Sequence, residues 1–167
     1  MPDILTGLDS AQSARAWLDA KGAPVQAMLI GLHRFQSVNL AYGVAAGDRL
    51  LALAGKMIRD FALAHNEGAG DEGPLVARMG GGVFLVASRT PASRQRWQWL
   101  AETLAATLAR PLGSSAGDVR LRPRVALLRG LPGEGASVLL DRLDQALSTL
   151  EARPGQRLIW ADGSHRA

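Results

Sequence analysis

Apolar positions along the chain recur with two different periods, and these periods predict the secondary structure. In the middle of the chain, Leu50, Leu53, Met57 and Phe61 recur every three or four residues, which places them on one face of a helix. Elsewhere, short apolar runs bounded by glycine, proline or charged residues are typical of strands. The predicted helices are 10–21, a short turn at 35–42, 46–65, 92–109 and 135–151. The predicted strands are 25–32, 74–79, 83–88, 119–128 and 157–160.

The order of these elements predicts an α+β fold. A strand, a helix, two strands, a helix and a strand in succession match a ferredoxin-like βαββαβ core, with extra helices and a mainly antiparallel central sheet flanked by helices. The two middle strands are joined at Gly80, Gly81 and Gly82, whose freedom to adopt positive φ favours a hairpin. We expect one domain over residues 1–160, followed by a tail or linker at 161–167.

Composition and charge narrow the class of protein. The chain has 167 residues, 47% hydrophobic and 20% charged, which is typical of a globular domain. It has no cysteine, which excludes disulfides and thiolate metal sites, and no apolar run is long enough to span a membrane. No signal peptide is visible, so we expect a cytoplasmic location. The net charge of +4 comes from scattered arginines without a nucleic-acid-binding motif, so we expect no nucleic acid partner.

Four motifs along the chain add a resemblance to a known family. In order they are DILTGL at 3–8, FQSVN followed by GVAAGDRLL at 35–51, ARMGGGVF at 77–84 and LLDRLDQAL at 139–147. They resemble the motifs DxLTGL, FKxxND…GHxxGDxLL, ARxGGDEF and LLxxADxAL of GGDEF domains, the fold of diguanylate cyclases. All four stand in the family's order and at its spacing, over almost the whole chain. The chain is therefore identified as a member of this family.

The resemblance implies a chemistry whose residues have been replaced here. Active members of the family join two GTP molecules into cyclic di-GMP, with two metal ions held by acidic side chains, because Mg²⁺ takes oxygen ligands. Other residues occupy the positions that would supply metal-binding acids or phosphate-binding lysines. These positions are Gly31, Gln36, Gly82, Val83 and Glu151. We therefore expect no catalytic residue, no bound metal and no cofactor.

Two further positions near these also depart from the family's pattern. The product-inhibition motif, an arginine and an aspartate just before the hairpin, corresponds to 71–74, where Asp71 replaces the arginine and Pro74 the aspartate. We therefore expect no cyclic di-GMP at that place. His33 stands at a second acidic position of the first strand, and a lone histidine there is interpreted as an ordinary polar residue rather than a metal ligand.

Some polar residues of the family are retained. Asn39 and Asp48 match a guanine-reading pair, in which a carboxylate accepts hydrogen bonds from the base edge beside an amide. Two interpretations stay open: weak binding of GTP or another guanine nucleotide, or structural retention, with Asp48 capping the long helix and Asn39 in a turn. Asp3 and Arg78 match a pair that ties the N-terminal segment to the hairpin, so we expect an ion pair between them.

The predicted strand at 119–128 and the predicted helix at 92–109 carry candidates for an interaction surface. Arg120, Arg122 and Arg124 alternate with apolar residues and share one face of a strand, which is either a solvated face or a docking surface for an acidic partner. Trp97 continues the apolar stripe of its helix and is predicted to be core. Trp99 falls off that stripe, so interface and partial packing both remain open.

These observations lead to three functional hypotheses. The first is a non-catalytic GGDEF domain that regulates or scaffolds a partner domain, with weak GTP binding; domains of this kind often precede an EAL phosphodiesterase in the family. The second is a protein-interaction domain without a ligand. The third is a diguanylate cyclase that uses unorthodox metal ligands.

Overall fold

The structure is a computed structural model of the chain. It describes residues 2–20, 22, 24–33, 40–65, 73–114 and 117–161, with only the backbone described for His33 and for 112–119. The helices are α1 (Ala11–Asp19), α2 (Val44–Ala64), α3 (Arg94–Leu108) and α4 (Ala136–Glu151). The strands are β1 (Gln26–His33), β2 (Leu75–Gly80), β3 (Val83–Ser88), β4 (Leu112–Ser114), β5 (Gly117–Val119), β6 (Arg122–Arg129) and β7 (Leu158–Trp160).

A five-stranded sheet forms the centre of the molecule, in the order β2-β3-β1-β6-β7. Strand β1 pairs antiparallel with both β3 and β6, β2 pairs antiparallel with β3, and β7 adds to β6 in parallel. The predicted α+β fold with a ferredoxin-like βαββαβ core and a mainly antiparallel sheet is confirmed. The apolar first strand lies at the centre because it is buried on both faces.

Helices cover both faces of this sheet. Because side chains of a strand alternate between faces, Met28 and Ile30 of β1 pack on one side and Ala27 and Leu29 on the other. The first side holds the apolar stripes of α2 and α3, and the second holds those of α1 and α4. Gly31 follows Ala27 and Leu29 in the alternation and therefore faces α4.

Three helix starts are satisfied by side-chain oxygens. Ser10 accepts a hydrogen bond from the backbone N–H of the third residue of α1, and Ser93 does the same for α3. Helix α4 begins after Gly135, which has no side chain that could act as a cap. Its first N–H is bound by a residue far away in the sequence, since Ala136 N donates to Asp19 Oδ1 at 2.8 Å. The end of α1 therefore caps the start of α4.

Helix α2 begins earlier than predicted, which corrects the interpretation of Asp48. Its N-cap is Gly43, at φ 90°, and no side chain caps the helix there. Asp48 is the fifth residue of the helix, beyond the first turn whose N–H groups a cap would bind. The predicted capping role of Asp48 is wrong. Within the predicted turn at 35–42, residues 40–42 are helical, and 35–39 lie outside the described residues.

The strand predicted at 119–128 is confirmed over 122–128, but its predicted start at 119 is wrong. Strands β4 and β5 form a separate two-stranded hairpin, and the strand of the main sheet begins only at Arg122. Arg120 lies between the two, so the three arginines do not share one strand. Arg122 is exposed and Arg124 is half-buried, while Leu121 and Pro123 are buried.

The two tryptophans of α3 have different surroundings. Trp97 is 4% exposed and packs in the core, as predicted, and its indole N–H donates to Ala27 O at 3.0 Å. Trp99 is 47% exposed, with His65 against its edge and the Arg96 guanidinium 4.9 Å above its ring. In the part of the chain that the structure describes, no helix has the length and apolar character needed to cross a bilayer. Residues 162–167 of the predicted tail lie outside the described residues.

Candidate functional site

The glycine hairpin between β2 and β3 reaches the end of β1. Gly80 and Gly81 have φ of 134° and 51°, values that a residue with a Cβ rarely adopts, which confirms the predicted turn. The ladder shifts register between Arg78 and Gly80. On the other side of the turn, Leu32 N donates to Gly82 O at 2.9 Å. The hairpin is therefore held directly beside the last residues of the central strand.

A row of three paired residues crosses the sheet at this point. Gly31 of β1 is paired with Val83 of β3 on one side and with Arg124 of β6 on the other. Residues paired in this way project to the same face, which here is the face covered by α4. The Arg124 guanidinium is half-buried: its Nη1 donates to Pro123 O at 3.4 Å, and its Nε is buried with no hydrogen-bond partner among the described residues.

The end of α4 fills the space above Gly31. A Cβ atom built on Gly31 would lie 3.2 Å from Leu147 Cδ2 and 3.6 Å from Glu151 Oε1. The first distance is tighter than an ordinary van der Waals contact, so a larger side chain at position 31 requires Leu147 to move. The structure thus brings together three residues that the sequence singled out, namely Gly31, Val83 and Glu151, and adds Arg124.

A polar network supports the hairpin from the N-terminal segment. Arg78 Nη1 donates to Asp3 Oδ1 at 3.1 Å, and Arg78 Nε donates to Gly81 O at 2.9 Å. Asp3 Oδ2 accepts from the backbone N–H and the hydroxyl of Thr6, at 3.0 and 2.7 Å. Burial would raise the pKa of Asp3, but the Thr6 hydrogen bonds and the Arg78 charge outweigh it, so this pKa lies below its ordinary value. The predicted ion pair is confirmed.

The remaining predicted residues are placed only in part. Asp48 is half-buried on the second turn of α2. Asn39 and Gln36 lie outside the described residues, so their side chains cannot be related to Asp48. For His33 the backbone is described, and it pairs with Arg122 at the end of β1. The nucleotide-binding assignment of Asn39 and Asp48 therefore stays a prediction.

Comparison with known proteins identifies the family. Residues 3–157 match the family model described as diguanylate cyclase, GGDEF domain. The chain belongs to the GGDEF family. Two curated relatives, uncharacterized proteins of Mycobacterium bovis and Mycobacterium tuberculosis, are each 32% identical over 151 residues, which is 86% of this chain and 23% of theirs. The chain thus spans about a quarter of the length of the curated relatives it matches.

Solved GGDEF structures share the fold. The GGDEF domain of DgcB from Caulobacter crescentus, in complex with c-di-GMP, superposes with a TM-score of 0.82 at 20% identity, covering 97% of this chain and 96% of that one. A GGDEF-only form of TpbB (YfiN) from Pseudomonas aeruginosa gives 0.81 at 23%, covering 97% and 95%. The diguanylate cyclase SiaD of the same organism, in complex with its activator SiaC, gives 0.80 at 19%, covering 95% and 61%.

The side chains around Gly31 do not fit the pair of metal ions that GGDEF cyclases use. Glu151 is the carboxylate that the structure brings to Gly31, and the neighbouring strand positions carry Val83 and Arg124. Among the described residues, no three histidine, aspartate or glutamate side chains come together in a way that could hold a metal ion. Mg²⁺ requires several oxygen ligands, and a guanidinium next to its position would repel it.

The sequence placed Arg124 among three arginines on one strand face, but it did not predict that Arg124 lies beside Gly31. Its alternation with Arg122 was consistent with a solvated strand face, whereas the structure pairs it with the glycine at the candidate site. The available signal was the departure from the small residues that GGDEF domains usually carry in this strand. Unless the register between β1 and β6 is known, that signal does not show which residue is paired with Arg124.

Proposed function

We propose that this chain is a non-catalytic GGDEF domain that regulates or scaffolds a partner in cyclic di-GMP signalling. The observation that supports it best is the row Val83–Gly31–Arg124 beneath the end of α4. A glycine and an apolar side chain, Gly31 and Val83, stand at positions where the resemblance places metal-binding carboxylates, and the Arg124 guanidinium lies beside them.

The packing above Gly31 adds a second reason. An aspartate at position 31 would press its Cβ against Leu147 and bring its carboxylate near Glu151 Oε1, which lies 3.6 Å from that Cβ position. Two carboxylates at such a distance repel each other unless a cation joins them. The site is therefore altered in shape and in charge, and replacing a single residue does not rebuild it.

A weak guanine-nucleotide site remains part of the proposal. Asp48 is half-buried and has no role in starting its helix, so the structural explanation for its retention has lost its main support. In the family that the chain resembles, a carboxylate at the position of Asp48 and an amide at the position of Asn39 read the guanine edge, which requires no metal. We expect GTP to bind weakly and with little dependence on Mg²⁺, because the described residues around Gly31 form no group of three side chains that could hold a metal ion.

The partner we propose is an EAL-type phosphodiesterase domain or a similar output domain. The chain spans about a quarter of its curated relatives, which leaves most of their length to other domains. One structural neighbour with a TM-score of 0.73 is described as an EAL/GGDEF domain protein from M. capsulatus. In such an arrangement GTP binding or docking of this domain would set the activity of the partner.

A thermal-shift titration with GTP, with and without Mg²⁺, tests the nucleotide part. A ligand at 100 times its Kd stabilises the folded state by about 2.7 kcal/mol, which is readily measured. Asp48→Ala should abolish the shift, and Asp60→Ala, an exposed aspartate on the same helix, should leave it unchanged. If millimolar GTP gives no shift, guanine recognition is wrong and the ligand-free interaction domain takes its place.

The absence of catalysis is tested separately. The domain is incubated with GTP and either Mg²⁺ or Mn²⁺, and cyclic di-GMP is sought by mass spectrometry beside an active cyclase. We expect none above a blank without protein. Metal-dependent formation of cyclic di-GMP would overturn the proposal and favour a cyclase with unorthodox ligands.

A further inference from the structure

A cavity of about 320 Å³ lies at the end of the sheet opposite the glycine hairpin. It opens beside Gln26, the first residue of β1, and Ser88, the last of β3, whereas Gly31 and Val83 mark the other ends of these strands. Its walls are mostly apolar and come from the sheet, the end of α2 and the start of α3. The principal wall residues are Met28, Phe61, Val86, Trp97, Leu100 and Leu104.

Gln26 places an unusual polar group in this lining. Its side chain is 6% exposed, and its Oε1 atom is buried without a hydrogen-bond partner among the described residues. Leaving a buried acceptor unsatisfied costs about 1–3 kcal/mol, so most such groups in folded proteins have partners. The nearby indole N–H of Trp97 is already used, since it donates to Ala27 O at 3.0 Å.

The mouth of the cavity is more polar than its walls. His65 lies 4.3 Å from the Phe61 ring, centroid to centroid, and Arg96 stacks on Trp99. Both His65 and Arg96 contribute to the lining. An apolar pocket with a few placed polar groups and a polar rim is the usual form of a small-molecule site.

We propose that this cavity binds a compact bicyclic aromatic molecule that carries one N–H or O–H donor. The size follows from the volume, because an apolar cavity of about 150 Å³ holds benzene and this one is roughly twice as large. Aromatic character follows from walls made of aromatic rings, aliphatic side chains and the Met28 thioether. The donor follows from Gln26 Oε1, which a buried N–H or O–H would satisfy. The cavity is lined by the end of α2, whereas Asp48 lies near the start of that helix, and the proposal does not depend on the proposed function.

The test uses a matched pair of probes. Indole has the required N–H, and indene has nearly the same shape without it. Binding to the whole chain is followed by NMR titration of the backbone amides and by calorimetry. We expect indole to bind saturably with one site per chain, with shifts centred on β1 and α3, and about tenfold more tightly than indene.

Two variants locate the effect. Gln26→Met keeps the length of the side chain and removes the acceptor, so it should bring the two probes to equal affinity. Ala62→Met fills the cavity from α2, where Ala62 is 9% exposed and contributes to the lining, and should abolish binding of both probes. Circular dichroism checks that each variant is folded, and the wild-type comparison of the two probes needs no variant.

Three results would overturn the proposal. The first is no saturable indole binding up to the solubility limit. The second is equal affinity for indole and indene in the wild-type chain. The third is that cyclic di-GMP, which is large and anionic, changes the amide chemical shifts around Gln26 while indole does not.

Discussion

Replacing Arg78 with alanine removes the link between the N-terminal segment and the glycine hairpin. The guanidinium makes two contacts, with Asp3 Oδ1 at 3.1 Å and with Gly81 O at 2.9 Å. Both charged side chains are 19% exposed, so the pair lies between a surface ion pair and a buried one. The variant leaves the Asp3 carboxylate with its two Thr6 hydrogen bonds only.

The size of the effect follows from this intermediate position. Exposed ion pairs contribute about 0.2–1 kcal/mol, whereas removing one partner of a buried pair costs about 3–5 kcal/mol. Because Thr6 still satisfies part of the carboxylate, we expect Arg78→Ala to lower the free energy of unfolding by about 2–3 kcal/mol at neutral pH. For a domain of this size, that loss corresponds to a decrease in Tm of roughly 5–10 °C.

Urea denaturation followed by circular dichroism measures this change, with Arg129→Ala as the matched control. Arg129 is an exposed arginine at the end of β6, and its loss should cost less than about 0.5 kcal/mol. The free energy must also depend on pH. The folded-state pKa of Asp3 is lowered, so the stability it contributes is complete above 3.8 and is lost as pH falls through the folded-state value.

The difference in unfolding free energy between wild type and Arg78→Ala should therefore shrink in acid, where only the contribution of the hydrogen bond from Arg78 to Gly81 O is left. A loss no larger than that of Arg129→Ala, or a loss that stays constant down to the acid limit of folding, would refute the pairing.

Three further predictions concern other parts of the molecule. Burial and the nearby Asp141 charge raise the pKa of Asp144 despite the opposing Arg15, so ionisation of Asp144 destabilises the fold as pH rises above 3.8. Asp144→Asn should therefore increase the free energy of unfolding by up to about 0.5 kcal/mol at pH 7 and leave it unchanged at pH 3, as measured by urea denaturation. Restoring the signature with Gly82→Asp and Val83→Glu should yield no cyclic di-GMP from GTP and Mg²⁺, because Gly31 stays covered by α4; product seen by mass spectrometry would contradict this. Asp19→Ala should cost about 1 kcal/mol of unfolding free energy by removing the distant cap of α4, and an unchanged Tm would argue against that cap.

Most of the main sheet and the long helices could be predicted because their signals are local. The stripe from Leu50 to Phe61 needs only its own spacing to indicate a helix, and the three glycines at 80–82 need only their own freedom to indicate a turn. The strand predicted at 119–128 was started too early because Val119, Leu121 and Val125 alternate as in a single strand, although β5 ends at Val119 and β6 begins at Arg122. Alternation does not show which partner strand each residue meets.

The candidate site was harder to predict, because it depends on register and on distant packing. Family motifs pointed to Gly31, Val83 and Glu151, but only the sheet pairing places Arg124 next to Gly31. The start of α2 was predicted at 46 instead of Val44 because the helix follows Gly43, which has a positive φ and no capping side chain that would mark the start. Gln26 gave no signal at all, since a glutamine at the start of a strand is usually solvated, and only the folded structure shows that it is 6% exposed beside the cavity.

The hydrogen bond from Ala136 to Asp19 couples the start of α4 to the position of α1. The two residues are 117 positions apart, so the first amide of α4 is protected from solvent only while α1 is docked. Hydrogen exchange at that amide therefore reports opening of the contact between α1 and α4, in addition to fraying of α4. A neighbouring domain that pulled α1 away would loosen the start of α4, whose other end, at Leu147 and Glu151, covers Gly31.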